Sequence, residues 1–550
     1  MDRERPEQNR PSRRPSRRHS SDQIHRPMSP SERRSRSSIA SSGDQNSRSS
    51  MSPSADGDAY TASTHTTDSN TRSSLVSPSD SNDPSFQRSP ANPQMQEVRP
   101  GKKHNGPVHR LVNGWWDRLL GAASDRSFSD QEERYESHRT SRDYIWNTIG
   151  YTAWGMVFPI LTIVVTQLSG VEQAGMFSLA FVTGTLLMIL ANYGVRAYQI
   201  SDLSEKHSFV DYRINRLLTC AIMLLVGWGL CALRGYDAQM FSISMGVFIY
   251  KMVDGLADVY EGRLQQHDKL YLAGISQTFR SLVVFIGFII VLAVTRDLGI
   301  ASVAMAIVAI ASLLIVTLPL ALFETPKSRR CSLGSVADLF RDCFPLFAAL
   351  FLYALIDAMP KFVMDGVLTY DNQLYFNALY FPAQAILIVA GFIYRPLLVR
   401  MAQAWADLDH RRRFDLFIAV MLALIVVVTV IAVGVMGWIG IPIMSFLYGI
   451  DFSDFRDLSF IMLAAGGMTA GIDFLYQVIT VMRRQKVVTK LYLVTFVASL
   501  IILPLLINFT GLPGAVIGYM IVMGILFVLL VREYIVERHA SSLAAKQEQA

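Results

Sequence analysis

The stretch Leu352-Tyr-Ala-Leu-Ile-Asp-Ala-Met-Pro-Lys-Phe-Val-Met-Asp365 places charged side chains inside an apolar segment. Asp357, Lys361 and Asp365 recur at every fourth position, so they share one face of a helix. Charged groups in a membrane helix must face protein or a water-filled cavity, and such positions are candidate functional sites. Pro360 removes one backbone hydrogen bond and is expected to kink the helix. We therefore expect a bent or broken helix here, in which Asp357 and Lys361 either face a cavity or pair with each other.

The segment that follows has a counterpart earlier in the chain. A gapless alignment creates the pairs Phe376/Phe177, Tyr380/Phe181, Phe392/Tyr193 and Arg395/Arg196. A second, weaker alignment sets Asp473 opposite Asp254. The two alignments predict two related halves around a central cavity.

The composition predicts a polytopic membrane protein of the all-α class. The chain has 550 residues, of which 51% are hydrophobic, and its mean hydropathy is +0.28. About twelve apolar runs are long enough for the roughly 20 residues that a spanning helix needs. They begin near Ile145, Ala174, Leu217, Met240, Leu272, Ile300, Cys343, Gln373, Phe414, Leu458, Tyr492 and Pro513. We predict two six-helix bundles, at residues 144–333 and 334–540, followed by a short cytoplasmic tail at 541–550.

The N-terminal part of the chain is polar. Residues 1–105 are rich in Ser, Arg and Pro, and such a segment cannot bury enough apolar surface to order itself. It is predicted to be a disordered cytoplasmic tail, either simply solvated or a phosphorylatable basic arm for anionic lipid or a partner enzyme. Residues 106–143 form a linker in which Val108–Leu120 is amphipathic, as an interfacial helix or a helix docked on the membrane domain.

Positive charge alternates between the loops that join the apolar runs. Every second loop carries a cluster of Lys and Arg, including Arg213 and Arg216, Arg411-Arg412-Arg413, and Arg483-Arg484. The other loops hold only Arg234, Arg296 and Arg456. Because Lys and Arg are retained in the cytoplasm, both termini are predicted to be cytoplasmic, with the chain in the cell membrane.

The sequence lacks the motifs of the common enzyme classes. It has no metal-ligand cluster, no Gly-rich phosphate loop and no nucleophile elbow. Its four cysteines lack metal-ligand spacing and are interpreted as reduced packing residues. We predict a non-enzyme without a cofactor, and the arginine-rich tail has no aromatic pattern that would indicate nucleic-acid binding. Transport is the favoured class.

A second group of charges lies in the fourth and fifth apolar runs. Lys251, Asp254, Asp258 and Glu261 recur at helical spacing on one face, and Arg280 lies at a similar depth on the next run. Pairing of Arg280 with one of the carboxylates would lower the cost of burying both. The group is either a closed ion-pair lock or the wall of a vestibule in which cations meet an anionic substrate and a carboxylate exchanges H⁺ or Na⁺.

Two further arginines occupy matched positions in the halves. Arg196 and Arg395 lie near the cytoplasmic ends of the second and eighth predicted helices. They are either snorkelling anchors or a shared inner mouth that holds a diphosphate by bidentate contacts. The candidate substrate-binding residues are therefore Arg196, Arg280, Arg395, Lys361 and Lys251. The candidate ion-coupling or charge-balancing residues are Asp254, Asp258, Asp357 and Asp473, whereas Trp154 and Trp438 are predicted to face lipid or pack.

Several segments carry a family resemblance. They are Gln173-Ala-Gly-Met-Phe-Ser-Leu-Ala-Phe181, Asn192-Tyr-Gly-Val-Arg196, Gln265-Gln-His-Asp-Lys-Leu270, Asn372-Gln-Leu-Tyr-Phe376, Tyr394-Arg-Pro-Leu-Leu398 and Gly511-Leu-Pro-Gly-Ala-Val-Ile-Gly518. They resemble the bacterial Wzx-type O-antigen and exopolysaccharide flippases of the multidrug/oligosaccharidyl-lipid/polysaccharide (MOP) exporter superfamily. The resemblance covers residues 140 to 540 and leaves the tail outside.

The resemblance implies two six-helix bundles that alternate access to a central cavity. It further implies that a polyprenyl-diphosphate-linked oligosaccharide moves across the cytoplasmic membrane for surface polysaccharide biosynthesis. The implied partners are that lipid-linked oligosaccharide, membrane lipid, and the polymerase and glycosyltransferases of the same pathway. Drug/cation antiporters of the superfamily typically have an acidic residue in their first helix, and Ile149–Gly170 has none.

Three functions follow as expectations. The first is the flippase, and the second is an H⁺- or Na⁺-coupled exporter of small molecules from the same superfamily. The third is a transport-inactive scaffold that recruits cell-envelope enzymes through its tail.

Overall fold

The computed structural model describes residues 139–202, 205–328, 332–398, 401, 403, 405 and 411–549. The predictions for the tail at 1–105 and for the amphipathic segment Val108–Leu120 lie outside these residues. The segment 541–549, predicted as a tail, continues the last helix.

Within the described part, twelve helices are long and apolar enough to cross a membrane, which confirms the predicted number. They are α1 (Arg139–Ser169), α2 (Val171–Asn192), α3 (Phe209–Arg234), α4 (Ala238–Gln266), α5 (Leu270–Thr295), α6 (Leu298–Glu324), α7 (Leu333–Met364), α8 (Asp371–Tyr394), α9 (Arg413–Tyr448), α10 (Arg456–Val481), α11 (Gln485–Thr510) and α12 (Leu512–Gln549). A short helix, Val195–Ser201, follows α2. The chain is a multi-pass membrane protein of the all-α class.

Helices α6 and α9 each contain one wider turn. The π-helical turns are Leu313–Thr317 and Met436–Gly440, and Pro319 or Pro442 follows shortly after each. Proline has no N–H and clashes with the preceding turn of a regular α-helix. A local π-turn changes the hydrogen-bond register there, so each helix passes its proline without ending.

Helix α3 begins earlier than the hydropathy predicted. Ser208 caps it: the Ser208 hydroxyl accepts from the Asp211 N–H, and the Asp211 carboxylate accepts from the Ser208 N–H at 3.0 Å. This reciprocal capping box satisfies two N–H groups that a helix start leaves unpaired. The helix therefore starts at Phe209, and the prediction that Arg213 and Arg216 lie in a loop was wrong.

Helix α7 is continuous through Pro360 and ends at Met364. Of the two forms that the sequence predicted, bent or broken, the broken form is therefore excluded. A neighbouring helix supports the last turn, because Gln373 of α8 donates from Nε2 to the Lys361 carbonyl at 2.7 Å.

The helices of the two halves pack in the same pattern. In the first half α1 packs on α5, α2 on α4, α3 on α4, and α4 on α6. In the second half α7 packs on α11, α8 on α10, α9 on α10, and α10 on α12. Each helix pair of the second half corresponds to a pair of the first half whose numbers are lower by six. This repeat agrees with the internal alignment of Phe376 with Phe177.

The halves meet mainly where α2 contacts α7 and α8. We call the side on which the odd-numbered helices begin the inner side, and the opposite side the outer side. At the outer end of this interface α2 has Gly175, where an added Cβ would lie 1.9 Å from the Tyr370 carbonyl oxygen. A side chain there would push the two halves apart.

We expect Gly175→Ala to lower the thermal stability of the purified protein, because overpacking a close contact costs about 1–3 kcal/mol. Gly155→Ala in α1 is the matched control, since a Cβ at that position meets no atom within 4 Å. The control should gain up to about 1 kcal/mol from helix propensity. Equal melting temperatures for the two variants would contradict the close approach.

Candidate functional site

The charged face of α4 meets a buried arginine of α5. The Arg280 guanidinium donates from Nε to Asp254 at 3.0 Å and from Nη1 to Glu261 at 2.7 Å. Only 2% of Arg280 is exposed, and both carboxylates are buried. A planar guanidinium presents several donors at once, so it can bridge two carboxylates of one helix face. The expected pairing of Arg280 is present, with Glu261 as its second partner.

The third carboxylate of α4 is shared by two other arginines. Asp258 accepts from Arg196 of the short helix at 2.5 Å and from Arg216 of α3 at 2.8 Å. Arg216 is fully buried and also donates to the Asn192 side chain and to the Ala191 carbonyl oxygen. Asp258 thus joins three elements of the first half.

Lys251 lies in an aromatic environment. Its ammonium is 3.7 Å from Asp254, 4.2 Å from the Phe181 ring centroid and 4.7 Å from that of Trp154. The Trp154 indole N–H also donates to Asp254 at 2.8 Å. Trp154 is therefore part of the charged cluster, and the prediction that it only packs or faces lipid was wrong.

These residues form a mutually paired cluster at the first half's core. The described part holds four cationic members, Arg196, Arg216, Lys251 and Arg280, and three carboxylates, Asp254, Asp258 and Glu261. Four positive charges less three negative charges leave one positive charge in formal excess. Each carboxylate has at least one cationic partner, so the cluster has the geometry of the ion-pair lock that we considered.

Arg196 is the member of the cluster that reaches the inner surface. Burial lowers the pKa of its guanidinium, but Asp258 and Glu261 raise it by more, so the pKa lies above its ordinary value. The side chain is 31% exposed, unlike that of Arg216, which is fully buried. Arg196 is therefore a permanent cation whose side chain is partly exposed.

The second half repeats one element of this arrangement. Arg395, at the inner end of α8, has Nη2 4.0 Å from Asp473 of α10, and Asp473 also accepts from the Tyr394 hydroxyl. In the first half Arg196, at the inner end of α2, reaches Asp258 of α4 in the same way. Arg395 is 65% exposed, so its ion pair is looser. Each of the two aligned arginines thus has a carboxylate partner on the fourth helix of its half, although Asp473 aligns with Asp254 and not with Asp258.

Asp357 and Lys361 of α7 do not pair with each other. Asp357 accepts hydrogen bonds from Tyr380 of α8 at 2.8 Å and from Tyr519 of α12 at 2.7 Å. The Lys361 ammonium lies 4.1 Å from the Tyr380 ring centroid and is buried. A cation–π contact replaces the expected ion pair. Tyr380 aligns with Phe181, so each half places a lysine over the same position of the repeat.

A cavity of about 370 Å³ lies between the two halves. It extends from the middle of the membrane domain to the inner end of α2, and its lining residues are Ile189, Asn192, Gly194, Leu350, Tyr353, Ala354, Asp357, Tyr380, Gln384, Leu387 and Thr469. The central cavity that the repeat predicted is therefore present. Asp357 is the charged residue among those that line it.

The structure places the predicted site residues in three locations. Asp357 reaches the cavity, while Lys251, Asp254, Asp258 and Arg280 lie in the cluster behind it, and Arg196 and Arg395 lie at the inner ends of α2 and α8. Asn192 links the cavity to the cluster, because it lines the cavity and accepts from Arg216. Sequence reasoning missed the contributions of Arg216, Trp154, Tyr380 and Tyr519. The Ser208-x-x-Asp211 capping signal is the feature that could have placed Arg216 inside α3.

We expect Arg280→Met to destabilise the protein by about 3–5 kcal/mol, because it leaves Glu261 buried without a cation and Asp254 with Lys251 alone. Adding Asp254→Asn and Glu261→Gln should recover most of that loss. The measurement is the unfolding midpoint in detergent, with the exposed Arg395→Gln as control. A midpoint for Arg280→Met equal to that of the control would show that the ion pairs of Arg280 add no stability.

No protein-family model and no curated protein matches this chain. Solved structures do match. An inward-facing multidrug resistance MATE transporter of the MOP superfamily has a TM-score of 0.57 at 12% identity, covering 71% of this chain and 96% of its own.

Two other structures have lower scores. A MOP superfamily transporter from Pyrococcus furiosus has a TM-score of 0.47 at 14% identity, covering 74% of this chain and 95% of its own. The Vibrio cholerae MATE transporter VcmN in its bent form has a TM-score of 0.47 at 14% identity, covering 74% and 98%. On the strength of the first match, the chain has the fold of the MATE transporters of the MOP superfamily.

Proposed function

We propose that this protein is a transporter of the MOP superfamily that moves a polyprenyl-diphosphate-linked oligosaccharide across the cell membrane by alternating access. The observation that carries the proposal is the matched pair of arginines, Arg196 and Arg395, at equivalent inner ends of the two halves. Both side chains are partly exposed, and both have a carboxylate partner on the fourth helix of their half. The sequence resemblance to the Wzx-type flippases supports the same substrate.

The chemistry of a diphosphate fits these arginines. A diphosphate carries at least two negative charges, and guanidinium groups bind such oxygens in bidentate geometry. An incoming diphosphate competes with Asp258 and Asp473 for Arg196 and Arg395. The 4.0 Å separation of Arg395 from Asp473 makes that exchange easy, and the excess positive charge of the cluster attracts the anion.

A second function is favoured by the cavity itself. Asp357 is its charged lining residue, and the aromatic rings of Tyr353 and Tyr380 lie beside it. Aromatic faces and a carboxylate together bind organic cations. A cavity of about 370 Å³ also fits a small molecule. This arrangement supports an H⁺- or Na⁺-coupled exporter, with Asp357 as the group that exchanges substrate for ion.

For the flippase, we expect Arg196→Gln and Arg395→Gln each to slow translocation of a fluorescent polyprenyl-diphosphate disaccharide in reconstituted vesicles by about tenfold or more. One lost charge-assisted hydrogen bond is worth about 1.5–3 kcal/mol. Arg484→Gln is the matched control, because Arg484 is also an inner-side arginine, paired with Glu537. Wild-type rates in both variants would refute the assignment of these arginines.

For the exporter, we expect the same vesicles to accumulate a fluorescent organic cation in response to an H⁺ or Na⁺ gradient, without any lipid-linked sugar. Asp357→Asn should abolish this uptake, since it removes the negative charge of the cavity. The control is Asp451→Asn, which changes an exposed carboxylate of an outer loop. No uptake by the wild-type protein would reject this function and leave the flippase assay unaffected.

A further inference from the structure

Three residues join the two halves at the outer side of the membrane domain. Arg234 ends α3, Tyr236 lies just before α4, and Asp365 follows the last turn of α7. The first two belong to the first half, and Asp365 belongs to the second. We call these three residues the outer latch.

Arg234 makes most of the contacts of the outer latch. Its Nη1 donates to the Asp365 carbonyl oxygen at 2.9 Å and its Nη2 to the Phe362 carbonyl oxygen at 3.0 Å. Its Nε lies 3.4 Å from the Asp365 carboxylate. The last carbonyls of a helix have no partner within the helix, so a cation that binds them also opposes the negative end of the helix dipole. Arg234 therefore caps α7 from the opposite half.

Tyr236 completes the outer latch from the same turn. Its hydroxyl donates to the Asp365 carboxylate at 2.7 Å. Gly235 between Arg234 and Tyr236 has φ +64, a left-handed conformation that glycine adopts without strain. That conformation ends α3 and turns the chain so that both side chains reach the same carboxylate. The Asp365 carboxylate of the latch is buried, with only 6% of the residue exposed, whereas the Arg234 side chain is 39% exposed and also meets solvent.

Other contacts between the halves lie on the same side. Gly175 of α2 lies against the Tyr370 carbonyl, and Gln167 of α1 donates to the Leu447 carbonyl oxygen of α9 at 2.9 Å. The cavity lies on the inner side of these contacts, from mid-membrane to the inner end of α2. The outer latch is therefore one of several contacts that join the halves on the side away from the cavity.

We propose that the outer latch, formed by Arg234, Tyr236 and Asp365, holds an outer gate closed. Its contacts must break before the cavity can open to the outer side. The inference uses the alternating access of the proposed function but not its substrate. Opening breaks contacts from two side chains of the first half to one segment of the second. The Asp365 carboxylate and the end of α7 then exchange protein partners for water.

The test measures distances between the halves by double electron–electron resonance, in nanodiscs without substrate. One spin-label pair, Gln239→Cys with Asp454→Cys, reports on the outer side, and a second, Lys206→Cys with Lys486→Cys, reports on the inner side. All four positions are exposed. The native cysteines are replaced by serine, and each labelled protein must elute as a single peak before measurement.

We expect Arg234→Gln and Asp365→Asn each to increase the fraction of long outer distances by about fivefold. Arg234→Gln removes the guanidinium that binds the two carbonyls, and Asp365→Asn removes the negative charge that faces Arg234. The inner distances should shorten in the same samples. Tyr236→Phe, which keeps the ring, should produce a smaller shift. The double variant of Arg234 and Asp365 should shift by less than the sum of the single variants, because the two residues share one interaction.

Arg296→Gln is the matched control, because Arg296 is an outer-side arginine that donates to the Leu168 carbonyl oxygen within the first half. Its distance distributions should equal those of the wild type. Unchanged outer distances in both Arg234→Gln and Asp365→Asn, or an equal shift in Arg296→Gln, would overturn the proposal. Because no substrate is present, this result is independent of the vesicle assays, so the gate and the transported substrate can fail separately.

Discussion

Arg280 bridges Asp254 and Glu261 in the middle of the first half, and the arrangement of α4 and α5 depends on this contact. An unpaired charge at that depth costs several kcal/mol, whereas paired charges that also hydrogen-bond lose much of that penalty. The same requirement explains why Asp258 has two arginine partners and why Lys251 lies against both Asp254 and aromatic rings. The packing of the first half therefore brings these charged side chains next to oppositely charged or aromatic partners.

The second half handles its buried charges differently. Asp357 is held by the hydroxyls of Tyr380 and Tyr519, and Lys361 by an aromatic face. Neutral partners hold a charge less tightly than an oppositely charged group does. Asp357 therefore remains available to a ligand in the cavity, while the carboxylates of α4 are already neutralised. The two halves share a helix arrangement but differ in whether charged or neutral partners hold their buried charges.

The inner and outer sides also differ in how the halves meet. On the outer side, Asp365 is bound by side chains of the opposite half, and Gly175 allows backbone contact. On the inner side, the cavity lies between α2, α7 and α8, and Arg395 is mostly exposed. Contacts of this kind favour a conformation in which the cavity is reached from the inner side. The proposed alternating access requires such an asymmetry, since only one side can be open at a time.

The sequence by itself determined the number of spanning helices, the charged positions within α4, α5 and α7, and the internal repeat. Hydropathy and spacing are local properties, so twelve apolar runs and the offset between Arg196 and Arg395 can be read directly along the chain. Only the tertiary structure decided which charges pair. Arg280, which binds Asp254, lies 26 positions from it, and Tyr519, which binds Asp357, lies 162 positions from it. Both contacts depend on how whole helices rotate and cross. Those crossings bury Arg216, bring Trp154 into the charged cluster and expose Asp357 to the cavity. The sequence alone does not show which face of a helix is buried, because that depends on the helix that packs against it.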